Sequence, residues 1–140
     1  MNKIIIYTDG GARGNPGPAG IGVVITDEKG NTLHESSAYI GETTNNVAEY
    51  EALIRALEDL QMFGDKLVDM EVEVRMDSEL IVRQMQGVYK VKEPTLKEKF
   101  AKIAHIKMER VPNLVFVHIP REKNARADEL VNEAIDKALS

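Results

Sequence analysis

Cysteine is absent from the 140 residues, which excludes a disulfide framework, a thiol nucleophile and a cysteine-ligated zinc site. Histidine is scarce: His34, His105 and His118 are scattered, without the short spacing of zinc ligands. No apolar run approaches the ~18 residues of a membrane span. Met1-Asn2-Lys3 leads straight into Ile4-Ile5-Ile6, without the apolar core and small-residue cleavage site of a secretory signal, so a cytoplasmic setting with no membrane contact is expected. Positive charge is also lacking overall. Eighteen Lys and Arg against 23 Asp and Glu leave a net −5, and by itself that argues against a nucleic-acid binder, because affinity for phosphates grows with Lys and Arg contacts.

What is present fits one globular unit over residues 1–140, with 43% apolar and 29% charged residues and no repeat, linker or low-complexity tract. The charge is uneven. Between Arg83 and Glu109, seven basic residues (Arg83, Lys90, Lys92, Lys97, Lys99, Lys102, Lys107) face three acids (Glu93, Glu98, Glu109), so the stretch carries +4 and the remainder −9. A solvated helix face is the ordinary meaning of such a run, but an anion held near a carboxylate-rich site would use it too.

Periodicity predicts strands over 3–9, 19–27 and 32–40, the last two joined by the turn Glu28-Lys29-Gly30-Asn31. Tyr50, Leu53, Ile54, Leu57 and Leu60 then follow helical spacing, predicting a helix from Asn46 to Phe63, capped by Asn45 or Asn46 and stopped by Gly64. Strict alternation over 70–76 predicts a fourth strand, and a short helix from about Ser78 to Met85 follows, ended by Gly87. Pro94 opens a helix to about Met108, residues 114–119 form a fifth strand, and Ala127, Leu130, Val131, Ala134, Ile135 and Ala138 stripe a last helix. The order βββαβααβα implies an α/β fold: a five-stranded mixed sheet with strands one, four and five parallel and helices on both faces.

Open α/β sheets bind ligands beyond the carboxyl ends of parallel strands. Asp9 is expected to close the first strand and Asp77 the fourth, with Glu49 in the first turn of the long helix and Asp128 early in the last. Each has an ordinary explanation, since helix starts favour acids and strand ends favour Asp turns. Together, four carboxylates without an offsetting Arg are costly unless cations sit among them, and two divalent ions would balance four charges. All-oxygen ligation favours Mg²⁺, with Mn²⁺ possible, and such a pair suits in-line displacement at phosphorus.

Thr8-Asp9-Gly10-Gly11, Gly14-Asn15-Pro16-Gly17-Pro18, Thr43-Thr44-Asn45-Asn46-Val47-Ala48-Glu49, Asp77-Ser78 and Asn124-Ala125-Arg126-Ala127-Asp128-Glu129-Leu130 resemble, in order, the motif series of type 1 ribonuclease H. The resemblance spans nearly the whole chain. It implies a ribonuclease H-like fold and a metal-dependent endoribonuclease that hydrolyses the RNA strand of an RNA–DNA hybrid, leaving 3′-hydroxyl and 5′-phosphate ends. Asp9, Glu49, Asp77 and Asp128 match the family's metal-binding carboxylates. Asn15, Asn45 and Asn46 match positions that contact the hybrid's minor groove, and Thr44 matches a contact to a DNA phosphate. No obligate protein partner is implied.

Three departures stand out. Glu42 occupies the position two before Thr44, where the family often has an Arg. Only Gln86-Gly87-Val88-Tyr89-Lys90-Val91-Lys92 separates two helices where many members carry a Trp- and Lys-rich protrusion. No counterpart of the family's loop histidine is evident; His118 falls at a strand end, and Arg121, the candidate for a cationic catalytic role, lies in the loop. Two other functions fit the same residues: a two-metal nuclease of this fold acting on double-stranded RNA or DNA junctions, and a non-catalytic hybrid-binding module.

Overall fold

The computed structural model describes residues 2–140. Three strands come first, β1 (Lys3–Ala12), β2 (Gly17–Asp27) and β3 (Thr32–Thr43), then α1 (Asn45–Asp59) and a 3₁₀ segment, Leu60–Asp69. β4 (Glu71–Met76), α2 (Glu79–Met85), α3 (Pro94–Arg110), β5 (Leu114–His118), a 3₁₀ turn at Arg121–Lys123 and α4 (Ala125–Leu139) complete the chain. The sheet order is β3-β2-β1-β4-β5, with β4 parallel to both β1 and β5, and β2 antiparallel to both its neighbours. This is the expected five-stranded mixed sheet. No helix is long and apolar enough to cross a membrane.

Several boundaries differ from the expectation. The ladder between β1 and β2 runs on to Ala12 opposite Ala19, and β3 continues to Thr43, so residues read as loop on their Gly and Pro content are largely strand. The helix cap is Thr44, whose hydroxyl accepts the Val47 N–H at 3.2 Å, rather than Asn45 or Asn46; the Asn45 side chain instead accepts the Ala12 N–H. α1 also stops at Asp59, short of Phe63. The next turns tighten into the 3₁₀ segment, which Gly64 interrupts at φ 59°, a left-handed conformation that glycine adopts without a Cβ clash.

Strand alternation sends Ile4, Ile6, Val23, Ile25, Val72, Val74, Leu114 and Phe116 to one face, where they pack with Tyr50, Leu53 and Leu57 of α1 and Leu96 and Ile103 of α3. Each such side chain, fully buried, contributes about 1.5–3 kcal/mol. On the opposite face α4 lays Ala127 and Leu130 against Val24 and Tyr7. Beyond its reach, the β1–β4 surface carries a polar network instead: Arg75 donates to Tyr7 Oη (2.9 Å) and Glu73 (2.6 Å), and Lys3 pairs with Glu73 (3.4 Å). At the outer edge, β3 skips Leu33 and Ile40 in its pairing with β2, forming two bulges.

Two close approaches position the helices that matter below. A Cβ on Gly10 would lie 2.2 Å from the Ala48 carbonyl group and 2.6 Å from the Glu49 nitrogen, so α1 sits directly on β1. A Cβ on Gly22, the residue paired with Asp9, would lie 2.3 Å from the Ala127 carbonyl oxygen and 2.9 Å from Leu130 Cβ, so α4 crosses β2 at that spot. Backbone cannot move aside as a flexible side chain can. Gly22→Ala should therefore lower stability by about 1–3 kcal/mol or more in urea unfolding, as overpacked sites do. An unchanged midpoint would show that α4 is seated loosely.

Candidate active site

At the end of the sheet where the parallel pairing of β1 and β4 stops at Tyr7 and Arg75, the chain turns acidic. Asp9 lies two residues past that last pair and Asp77 immediately follows β4. Asp9 does not close β1 as expected, because the antiparallel ladder with β2 continues beyond it; it marks only the end of the parallel section. Glu49 is not in the first turn of α1 either. It stands in the second turn, which removes favourable helix-end electrostatics as an explanation for an acid there. Asp128 does occupy the first turn of α4.

Asp9, Glu49 and Asp77 each bring a carboxylate oxygen to within 4.8 Å of the others. Asp128 faces Asp9, and a cleft of about 310 Å³ collects all four acids together with Arg13, Asn45, Arg121 and Asn132. Asp9 and Glu49 are both buried. Burial, then the charges of Asp77 and Asp128, push the Asp9 carboxyl up to about 7. Burial and the charges of Asp9 and Asp77 hold Glu49 well above the ordinary carboxylate range, although the Gly10 N–H donates to it. Its Oε2 is enclosed without a hydrogen-bond partner.

Nearby protein cations do little to relieve this crowding. Arg13 is committed to Asp136 (2.7 Å) and Asn132 (3.1 Å), and Arg121, exposed on the rim, forms no ion pair among the described residues. A buried, partnerless carboxylate oxygen within an all-oxygen donor set fits a hard divalent cation such as Mg²⁺ or Mn²⁺.

The residues expected to touch substrate divide. Asn15 and Asn45 are joined: Asn15 Oδ1 accepts the Asn45 N–H (2.9 Å), and Asn45 Oδ1 accepts the Ala12 N–H (2.9 Å). With both carbonyl oxygens engaged, both amide NH₂ groups remain free as donors. Asn45 lines the cleft; Asn15, Thr44 and Asn46 lie outside its lining. Thr44 uses an oxygen lone pair in capping but retains its hydroxyl hydrogen. Lys90 and Lys92 are exposed in the short segment between α2 and α3. His118 ends β5, outside the cleft lining, 3.9 Å from Glu79.

Neither Gly10 nor Asn124 was given a site role on sequence grounds. Gly10 both admits α1 and donates to Glu49. Asn124, 1% exposed, precedes α4 and looks like a helix cap, yet its side chain makes no capping bond; Nδ2 donates to the Thr8 carbonyl (2.9 Å) and Asp77 Oδ2 (2.8 Å). Only the tertiary fold brings these groups together.

Residues 7–134 match the family described as Reverse transcriptase-like. A crystal structure of LC11-RNase H1 in complex with RNA/DNA hybrid is 99% identical, covers 98% of this chain and 99% of that one, and superimposes with a TM-score of 0.96. The chain belongs to the type 1 ribonuclease H family. Ribonuclease HI of Halobacterium salinarum is 39% identical over 97% of the chain, and the bifunctional protein Rv2228c of Mycobacterium tuberculosis is 44% identical over 97%. The chain spans 66% of the former's length and 36% of the latter's.

The electrostatics of this ribonuclease H site predict opposite responses of stability and metal use. Because the folded-state pKa of Asp9 is raised, its contribution to stability falls as pH rises from about 4, its unfolded value, to about 7. Asp9→Asn should raise the metal-free melting temperature, by more at about pH 8 than at about pH 5, and reduce the stabilisation gained on adding Mg²⁺. A pH-independent effect, or a loss of stability, would mean that Asp9 is not held under like-charge stress.

Proposed function

We propose that this chain is an endoribonuclease that hydrolyses the RNA strand of RNA–DNA hybrids with two divalent cations, Mg²⁺ or Mn²⁺, leaving 3′-hydroxyl and 5′-phosphate ends. The observation that carries this reading is the convergence of Asp9, Glu49 and Asp77 on one point of the cleft, with Asp128 opposite Asp9. Asp9, Glu49, Asp77 and Asp128 would hold the cations. The chemistry supplied there is activation of a water and stabilisation of the leaving oxygen in an in-line displacement at phosphorus.

The chain's own residues orient the duplex. Asn15 and Asn45, with their amide oxygens engaged, keep NH₂ donors suited to a minor groove, whose exposed groups are base-edge acceptors and, on the RNA strand, 2′-hydroxyls. Asn46 follows on the same turn of α1, and the Thr44 hydroxyl is suited to donate to a phosphate of the DNA strand. Glu42, exposed two residues earlier, weakens that phosphate contact, whereas Lys90 and Lys92 add positive charge beside α2. The relative crystallised with RNA/DNA hybrid supports a hybrid as the duplex.

A labelled-duplex assay tests the reading. RNA–DNA hybrid should be cut in its RNA strand only, EDTA should abolish cutting, and duplex DNA should survive at the same enzyme and Mg²⁺ concentrations. Equal cutting of duplex DNA, or of double-stranded RNA, would replace hybrid specificity by broader nuclease action; hybrid binding in EDTA without cleavage on adding Mg²⁺ would leave a binding module.

Arg121 supplies the cation at the rim of the cleft, where positive charge assists a departing product phosphate but a guanidinium cannot exchange a proton near neutral pH. Arg121→Ala should lower kcat severalfold with little change in melting temperature, and His118→Ala should leave the single-turnover rate intact. If Arg121→Ala matches the parent in both single-turnover and steady-state rates while His118→Ala loses the first, the role passes to His118.

A further inference from the structure

Asn124 connects three of the four acidic positions through one side chain and one carbonyl. Its Nδ2 donates both hydrogens, one to the Thr8 carbonyl at the residue preceding Asp9 and one to Asp77 Oδ2. Its own carbonyl accepts the N–H of Asp128 at 3.1 Å. The amide orientation is determined by chemistry, because both partners of the nitrogen are acceptors and a flipped oxygen would oppose two oxygens. The side chain is almost wholly buried and Oδ1 has no partner, so the residue is spent on these contacts and not on capping α4 or meeting solvent.

We infer that Asn124 is a positioning residue for the cation site: by holding Asp77 Oδ2, it turns the other carboxylate oxygen toward Asp9 and Glu49 and ties the start of α4 to the ends of β1 and β4. Without the amide, Asp77 is free to rotate about its side-chain bonds and swing away from two like charges. A bound cation must then reassemble the cluster, and its affinity falls by the cost of doing so. An Asp at 124 would preserve shape but set a carboxylate against Asp77 and the Thr8 carbonyl. The inference rests on the proposed cation-binding reading.

Calorimetric titration with MgCl₂, without nucleic acid, separates the two. Parent protein that takes up no Mg²⁺ would overturn the reading and this inference with it. Given binding by the parent, Asn124→Ala should weaken Mg²⁺ affinity by about 10-fold or more, as loss of a hydrogen bond to a metal ligand typically does. Cleavage should show the matching pattern, a higher Mg²⁺ requirement with the KM for hybrid at saturating Mg²⁺ unchanged. Ile103→Ala serves as the control, since it opens the core under α3, which carries none of the four acids; it should lower the melting temperature and leave Mg²⁺ affinity unaltered. If Asn124→Ala does not fold, Asn124→Ser, which retains one shorter donor, is judged by the same criterion. Parent-like Mg²⁺ affinity in the folded Asn124 variant, or equal weakening in Ile103→Ala, would overturn the inference and leave Asn124 a structural link only.

Discussion

The geometry of this ribonuclease H rests on two helices that touch the sheet where side chains are missing. α1 comes down on Gly10 and α4 on Gly22, and both glycines lie in the same strand pair as Asp9. A helix usually stands off a sheet by the thickness of the side chains between them. Removing two Cβ atoms brings Glu49 and Asp128 to β1, where they meet an acid on the strand itself. Asp77 arrives independently, on the parallel neighbour of β1, and needs no such contact.

The cost of that convergence falls on the folded state. Two buried carboxyls with raised pKa values oppose folding wherever they must be ionised, and the opposing gain comes from elsewhere: the apolar face shared by α1, α3 and four of the strands. Core and cleft are separated along the strands, with the cleft lying past the end of the β1–β4 pairing. Ile4 and Ile6 point into the large core, and Asp9, displaced along the same strand by an odd number of residues, points to the other side. None of the electrostatically strained acids belongs to the main apolar core.

Most of the architecture was legible in the chain because burial on one side writes a period into each element. The strictly alternating 70–76 and the helical stripe through Tyr50, Leu53 and Leu57 are such cases, and the mixed sheet with its first, fourth and fifth strands parallel followed from the order of the elements. Element ends were less legible. Gly10, Gly11, Gly17 and Pro18 carry a loop composition while forming ladder pairs, and at Gly10 the missing side chain admits α1. The four carboxylates could be found from their places at strand ends and helix starts, although for Asp9 and Glu49 those local placements proved inexact. Asn124 could not be found that way: an Asn before a helix has the same appearance whether it caps its own turn or reaches across to an acid 47 residues away.

The bulges in β3 bear on how copies of this chain behave when crowded. β3 is a 12-residue edge, longer than most strands and with one side of its backbone open to other chains. A flat ribbon of that length would template the addition of further strands. Skipping Leu33 and Ile40 breaks its repeat twice, and exposed Glu42 places charge near its end, so an incoming strand finds no continuous register. The broken register thus works against edge-to-edge addition of further copies.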